Sequence, residues 1–368
     1  MMREIPLLDL KEQYRTIKKE INAAIQNVLN DAAFSGGPYV GLFEKHFAKY
    51  NGAPYTVGLN SGTSALYLAL IALNIKAGDE VIVPVNTFIA TAWAVSYVGA
   101  KPVFADCTRD TWQIDPSKLE RKINRKTKAI IGVHLFGQPF NIDRVMATAK
   151  KYKLVLIEDC AQAHGGRYKG KKVGMFGDIG CFSFYPSKNL GAYGEGGAIV
   201  TKNLGIAQRI RSLRNHGSLK KYYHTEIGFN MRMDGIQAAI LDVKLNYLER
   251  WNKRRRQIAH MYQTQIKNPH IVLQYQPLWS GSVYHLFVIK TKRREKFMRS
   301  MEKNRIMTAI HYPIPCHLQK AYNHLGYKTG DFPVAESYSK QCVSIPMYPE
   351  MTDSEAKKVI EAINRYEG

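Results

Sequence analysis

The chain has 368 residues, 45% hydrophobic and 23% charged; it is too long for one compact core, since single cores stop growing at roughly 250–300 residues. No apolar run reaches the ~20 residues that cross a membrane, and 53 basic against 30 acidic residues give a formal charge of +23. Five scattered cysteines without a CxxC pair argue against a disulfide framework and a zinc or other metal site, and fit a reducing cytoplasm.

The opening Met-Met-Arg-Glu-Ile-Pro brings charge early and shows no apolar leader, so a cytoplasmic location is expected. The positive charge suits an anionic partner, or else a lysine-rich solvated surface. Its spread along the chain favours the surface. The densest runs, 253–256 and 292–296, are not interleaved with aromatics, so neither nucleic acid nor a membrane is an expected partner.

In chain order, Ile17, Ile21, Ile25 and Val28 recur at helical spacing within 11–30. Residues 62–75 read as a mostly buried helix. A strand over 80–83 stops at Pro84, and a helix over 89–98 precedes a strand at 102–105. A short apolar strand at 129–133, a helix at 141–152 and a strand at 154–157 follow. Such alternation indicates βαβ units, an α/β fold and a parallel sheet. Two further strands, 182–185 and 197–201, flank a glycine-rich turn. Helices over 204–214 and 235–265 come next, the second long and basic on its outer face. Beyond 266, a strand at 284–290 and helices at 293–304 and 353–366 suggest a smaller α+β unit. The expected division is a large domain at 1–250 and a small one at 251–368.

Four segments carry candidate chemistry. Asn60-Ser61-Gly62-Thr63-Ser64 opens a helix, where free N–H groups, the helix dipole and two hydroxyls favour a phosphate; an ordinary capped helix is the plainer reading. The strand ending in Glu158-Asp159, followed by Gln162, puts acids at a carboxyl edge, where open α/β sheets bind ligands. Asp159 there can pair with a cationic ring nitrogen or merely cap a loop. Ser183-Phe-Tyr185-Pro-Ser-Lys188 sets a lysine before a turn with four glycines, Gly191, Gly194, Gly196 and Gly197. A Schiff-base lysine needs such a crowded, partly desolvated place; a surface lysine beside a flexible turn is the alternative. Asn230 and Arg232 lie just before a helix beginning near Asp234, a weak signal alone.

Together, NSGTSAL, VPVNTFIATA, EDCAQAHGG, SFYPSKNLGAYGEGG and GFNMRMDGIQAA, in that order, resemble the DegT/DnrJ/EryC1/StrS family. The opening IPLLDL and the late segment from His311 to His317 extend the resemblance over essentially the whole chain. It implies the fold type I of pyridoxal 5′-phosphate (PLP) transferases: a large α/β domain with a mostly parallel sheet, plus a small C-terminal α+β domain. By position, Lys188 matches the lysine that carries PLP, and Asp159 the acid at its ring nitrogen. Gln162 matches the residue near the ring 3-hydroxyl, and Phe88 the aromatic stacked on the ring. Gly62, Thr63, Ser64 and Ser183 match the phosphate site. Asn230 matches a residue reaching the neighbouring subunit's phosphate, so the family implies a homodimer with shared sites.

Where many members carry a histidine between strand and lysine, this chain has Tyr185-Pro186. That variant resembles the branch aminating C-3 of nucleotide-linked keto sugars such as dTDP-3-keto-6-deoxyhexoses. Tyr185, His311, Tyr312 and His317 are the candidate substrate contacts. The implied reaction is ping-pong: L-glutamate gives its amino group and leaves as 2-oxoglutarate, and the keto sugar then takes it. A 4-keto sugar, a UDP-linked 3-keto sugar or a cyclitol is the alternative substrate. A non-catalytic DNA-binding regulator is the reading from another class, and retention of Lys188 with its neighbourhood stands against it.

Overall fold

The computed structural model describes residues 4–368; the opening Met-Met-Arg, on which the leader argument partly rests, lies outside the described residues. Two helices, α1 (Leu10–Asn30) and α2 (Gly37–Asn51), precede strand β1 (Tyr55–Leu59). An alternating stretch follows: α3 (Gly62–Ala72), β2 (Glu80–Pro84), α4 (Ala90–Tyr97), β3 (Lys101–Ala105), β4 (Thr127–Val133), α5 (Ile142–Lys151) and β5 (Val155–Asp159). Short strands β6 (Arg167–Tyr168) and β7 (Lys171–Lys172) lead to β8 (Ile179–Ser183) and β9 (Gly197–Thr201). Helices α6 (Leu204–Leu213), α7 (Gly235–Leu245) and α8 (Leu248–Gln265) come next. The remainder comprises β10 (Val272–Leu273), β11 (Ser280–Gly281), β12 (Phe287–Lys290), α9 (Arg294–Lys303), α10 (Pro333–Gln341), β13 (Cys342–Ile345) and α11 (Asp353–Asn364).

Seven strands form the central sheet in the order β1-β9-β8-β5-β4-β2-β3. All run parallel except β9, which is antiparallel to both neighbours. Strand alternation sends successive side chains to two cores. Ile157, Cys181 and Ile199 face one, with Leu66, Leu70 and Val95. Leu156, Phe182 and Val200 face the other, with Phe43, Phe47 and Val145. A third core lies beyond, where Ile258 and Tyr262 of α8 meet β12, β13, α9 and α11 around the antiparallel sheet β10-β12-β13.

The expected helix over 235–265 is two helices. At Asn246 and Tyr247 the N–H groups bond three residues back, to Val243 and Lys244, so the chain tightens between α7 and α8. The periodicity runs on through this joint, and neither proline nor glycine marks it. The strand expected at 182–185 lies earlier, at Ile179–Ser183, and Lys188 stands five residues past its end.

Glycines set how closely the sheet's edge approaches α3. A Cβ on Gly62 would lie 2.5 Å from the Ser183 Cβ, and one on Gly197 would lie 2.2 Å from the Ser61 carbonyl oxygen. Contacts this short with main chain cannot be relieved by a rotamer change. Gly197→Ala is therefore expected to lower stability by about 1–3 kcal/mol, the range typical of overpacking, seen as a lower urea midpoint. Gly41→Ala within α2 has nothing within 4 Å of its new Cβ. It is expected to raise the midpoint, by up to about 1 kcal/mol in stability.

Candidate active site

The carboxyl ends of β4, β5 and β8, the segment after β2 and the first turn of α3 enclose a cavity of about 410 Å³. Open α/β sheets place ligands at this edge. Ser61 caps α3, its Oγ accepting the Ser64 N–H (3.0 Å) and lying 2.9 Å from the Ser64 hydroxyl. Ser61, Gly62 and Thr63 line the cavity beside Ser183. Ser64 stands one layer back, engaged with Ser61.

Asp159 ends β5 and is buried. The Thr91 hydroxyl donates to its Oδ2 (2.9 Å) and the Ala161 N–H to its Oδ1 (3.1 Å). Burial raises its pKa, while those bonds and the charge of Lys188 oppose the rise. Its neighbour Glu158 points to the other face of the sheet. There it accepts N–H groups of Gly174, Phe176 and Gly177 and pairs with His134 Nε2 at 3.0 Å. Its chemistry is spent on holding the 174–177 loop.

Lys188 lines the cavity, its own N–H bonded to the Tyr185 carbonyl (2.8 Å). Burial lowers its amine pKa to about 8, against the opposing pull of Asp159. Gln162 accepts the Phe136 N–H (2.6 Å) and donates to the Tyr312 hydroxyl (3.1 Å). Phe88 and Tyr312 pack with ring centroids 5.6 Å apart, Phe88 half exposed at the cavity wall. His311, whose Nδ1 lies 2.8 Å from Ser344 Oγ, is held neutral by burial, its pKa lowered to about 4.

Ten of the candidate residues thus share one cavity: Gly62, Thr63, Phe88, Asp159, Gln162, Ser183, Tyr185, Lys188, His311 and Tyr312. His317 does not line it; it is buried elsewhere against Phe332 and paired with Glu336 at 3.1 Å. Asn230 is exposed outside it, on a segment bridged to Asn215. Sequence reasoning missed Thr91, which supports Asp159, and His285, a buried wall residue whose Nδ1 has no hydrogen-bond partner. Thr91 lies within VPVNTFIATA, where nothing in the sequence distinguishes it. His285 sat inside an apolar stretch read as strand.

These residues fit pyridoxal phosphate: a helix start with hydroxyls for phosphate, a buried carboxylate for a ring nitrogen, an aromatic wall and an amine of lowered pKa. The profile of the DegT/DnrJ/EryC1/StrS aminotransferase family matches residues 15–364. The chain belongs to this family. It is a PLP-dependent aminotransferase of the fold type expected. The aminotransferase is 48% identical to dTDP-3-amino-3,6-dideoxy-alpha-D-galactopyranose transaminase of Aneurinibacillus thermoaerophilus, over 98% of this chain and 99% of the relative. It is 42% identical to UDP-N-acetyl-3-dehydro-alpha-D-glucosamine 3-aminotransferase of Acidithiobacillus ferrooxidans, over 98% and 97%. Among solved structures it resembles S. venezuelae DesV in complex with a ketimine intermediate, with a TM-score of 0.97, 41% identity and coverage of 99% and 98%.

An amine attacks a carbonyl only when unprotonated, so labelling should rise with pH through the Lys188 pKa. Borohydride trapping of PLP on the aminotransferase, followed by peptide mass spectrometry, is expected to label Lys188 half-maximally near pH 8. Exposed lysines, with pKa near ~10.4, should lag by about two pH units.

Proposed function

We propose that this aminotransferase moves an amino group from L-glutamate to C-3 of a dTDP-linked 3-keto-6-deoxyhexose, giving a 3-amino-3,6-dideoxyhexose. The observation that carries the substrate reading is the 48% identity, end to end, with a relative named for that product. Tyr185 supports it: half exposed, it lines the cavity three residues before Lys188, where a sugar hydroxyl can meet its phenol. The identity with the UDP-sugar enzyme favours a UDP-linked 3-keto sugar as the second reading.

In this reading Lys188 would hold the cofactor and, with its amine free, would move the proton at the substrate carbon as base and then acid. Bound PLP would supply the electron sink for removal of that proton. Asp159, kept in place by Thr91 and Ala161, holds the ring nitrogen protonated. Thr63, Ser183 and the first turn of α3 hold the phosphate, with Ser64 acting through Ser61. Phe88 covers a ring face, Gln162 serves the 3-hydroxyl, and His311 and Tyr312 meet the sugar as neutral hydrogen-bonding groups. His317, tied to Glu336, supports the wall from behind.

A second copy of the chain completes the site. L-glutamate brings two carboxylates and a nucleotide sugar a diphosphate, yet Lys188 is the one lysine or arginine among the described residues lining the cavity. The segment carrying Asn230 also bears Lys220, Lys221 and Arg232, and Asn230, Lys220 and Lys221 are exposed, so this segment is the proposed source of the missing cations for a neighbour's cavity.

Purified protein loaded with PLP should lose its visible band on adding L-glutamate and show the near-ultraviolet band of the amino form. A panel of dTDP-3-keto, dTDP-4-keto and UDP-3-keto sugars should then restore the visible band fastest with the first. A faster response to a UDP sugar establishes the second reading. Asp159→Ala and Lys188→Ala are each expected to fold and to lose at least about 10³-fold in kcat, measured as 2-oxoglutarate release. Near-normal turnover in either variant overturns its assigned role.

A further inference from the structure

The turn after Lys188 is braced by a side chain that the chemistry above does not use. Lys244 of α7 is 1% exposed, a rare state for a lysine. Its Nζ donates to the Gly191 carbonyl (2.5 Å) and stands over the rings of Tyr193 and Trp251, at 4.9 and 5.9 Å. Burial lowers its pKa to about 8. Gln237, seven residues earlier and so on the same face of α7, accepts the Tyr193 N–H at 2.9 Å. Its amide also packs where a side chain on Gly194 would stand, 2.9 Å from the built Cβ.

The braced turn is tied directly to the lysine. A Cβ on Gly191 would lie 2.3 Å from the Pro186 carbonyl oxygen, so Gly191 rests on the segment entering Lys188. The Ala192 N–H bonds back to the Phe184 carbonyl (2.8 Å), closing residues 184–192 into a ring with Lys188 inside it. A displacement of Gly191 therefore moves the backbone from which the Lys188 side chain springs.

We propose that Lys244 and Gln237 are positioning residues: through their hydrogen bonds to Gly191 and Tyr193 they set where the Lys188 amine stands in the cavity. This rests on Lys188 being the cofactor lysine. A reactive group displaced by a fraction of an ångström loses turnover more than affinity.

The test compares the PLP-loaded wild type with Lys244→Met, which removes the donor, and Lys244→Gln, which keeps a donor without the charge. Visible circular dichroism per bound cofactor reports how rigidly the lysine-bound group is oriented, independently of turnover. For Lys244→Met that signal is expected to fall to about half or less and kcat by about 10-fold or more, while KM for L-glutamate stays within about threefold. Lys244→Gln is expected to restore both to within about threefold of wild type. A folded Met variant with wild-type dichroism and kcat overturns the proposal, as does a loss in Met that Gln fails to restore. Should the Met variant not unfold cooperatively, Gln237→Leu decides by the same two measurements, and no change in either overturns it. A wild type that binds PLP without any visible band defeats the reading of Lys188 instead, separately from the brace.

Discussion

The site depends on how closely the first turn of α3 sits on the ends of β8 and β9. Gly62 against Ser183 and Gly197 against Ser61 leave no room for a methyl group at either place. That closeness brings a helix N-terminus, with its free N–H groups and positive dipole end, beside the strand that leads to Lys188. Widening the gap would separate an anion site from an amine. The four glycines of the turn were legible as a sign of crowding, and the crowding proves to be protein against protein: Pro186, Gln237, Phe184 and Ser61 occupy the space.

Electrostatics follow from this packing. Asp159 and Lys188 sit in one desolvated cavity, and each moderates the other's cost of burial. Desolvation alone would drive both toward neutrality. The histidines nearby are pushed further the same way: His311, His285 and His164 are all held neutral by burial and by the lysine's charge. The histidines of the wall are thus neutral donors and acceptors beside the Asp159–Lys188 pair.

Most of the large unit was legible because its strands are short apolar runs between helices, a pattern with few other solutions. The order of motifs around Lys188 made its cavity legible too, since four of the five, each weak alone, converge at one sheet edge. Other features left no trace. Helix α2 begins at Gly36-Gly37-Pro38, which reads as a turn, and its apolar face is narrow. Lys244 belongs to a helix with a basic outer face and reads as solvated; only packing against Tyr193 and Trp251 shows it to be inside. His317 was expected beside the substrate with His311, but a short 3₁₀ turn at Cys316–Leu318 carries it to Glu336. Spacing cannot reveal such a change of direction.

The dipeptide Glu158-Asp159 shows what a β-strand's alternation permits. Two like charges adjacent in sequence would ordinarily compete for one proton. Because they leave the strand on opposite faces, one is saturated by loop amides while the other faces the cavity. Scaffold and reagent thereby occupy opposite sides of a single strand. The two sides still meet through His134, which pairs with Glu158 and whose N–H bonds to the Asp159 carbonyl.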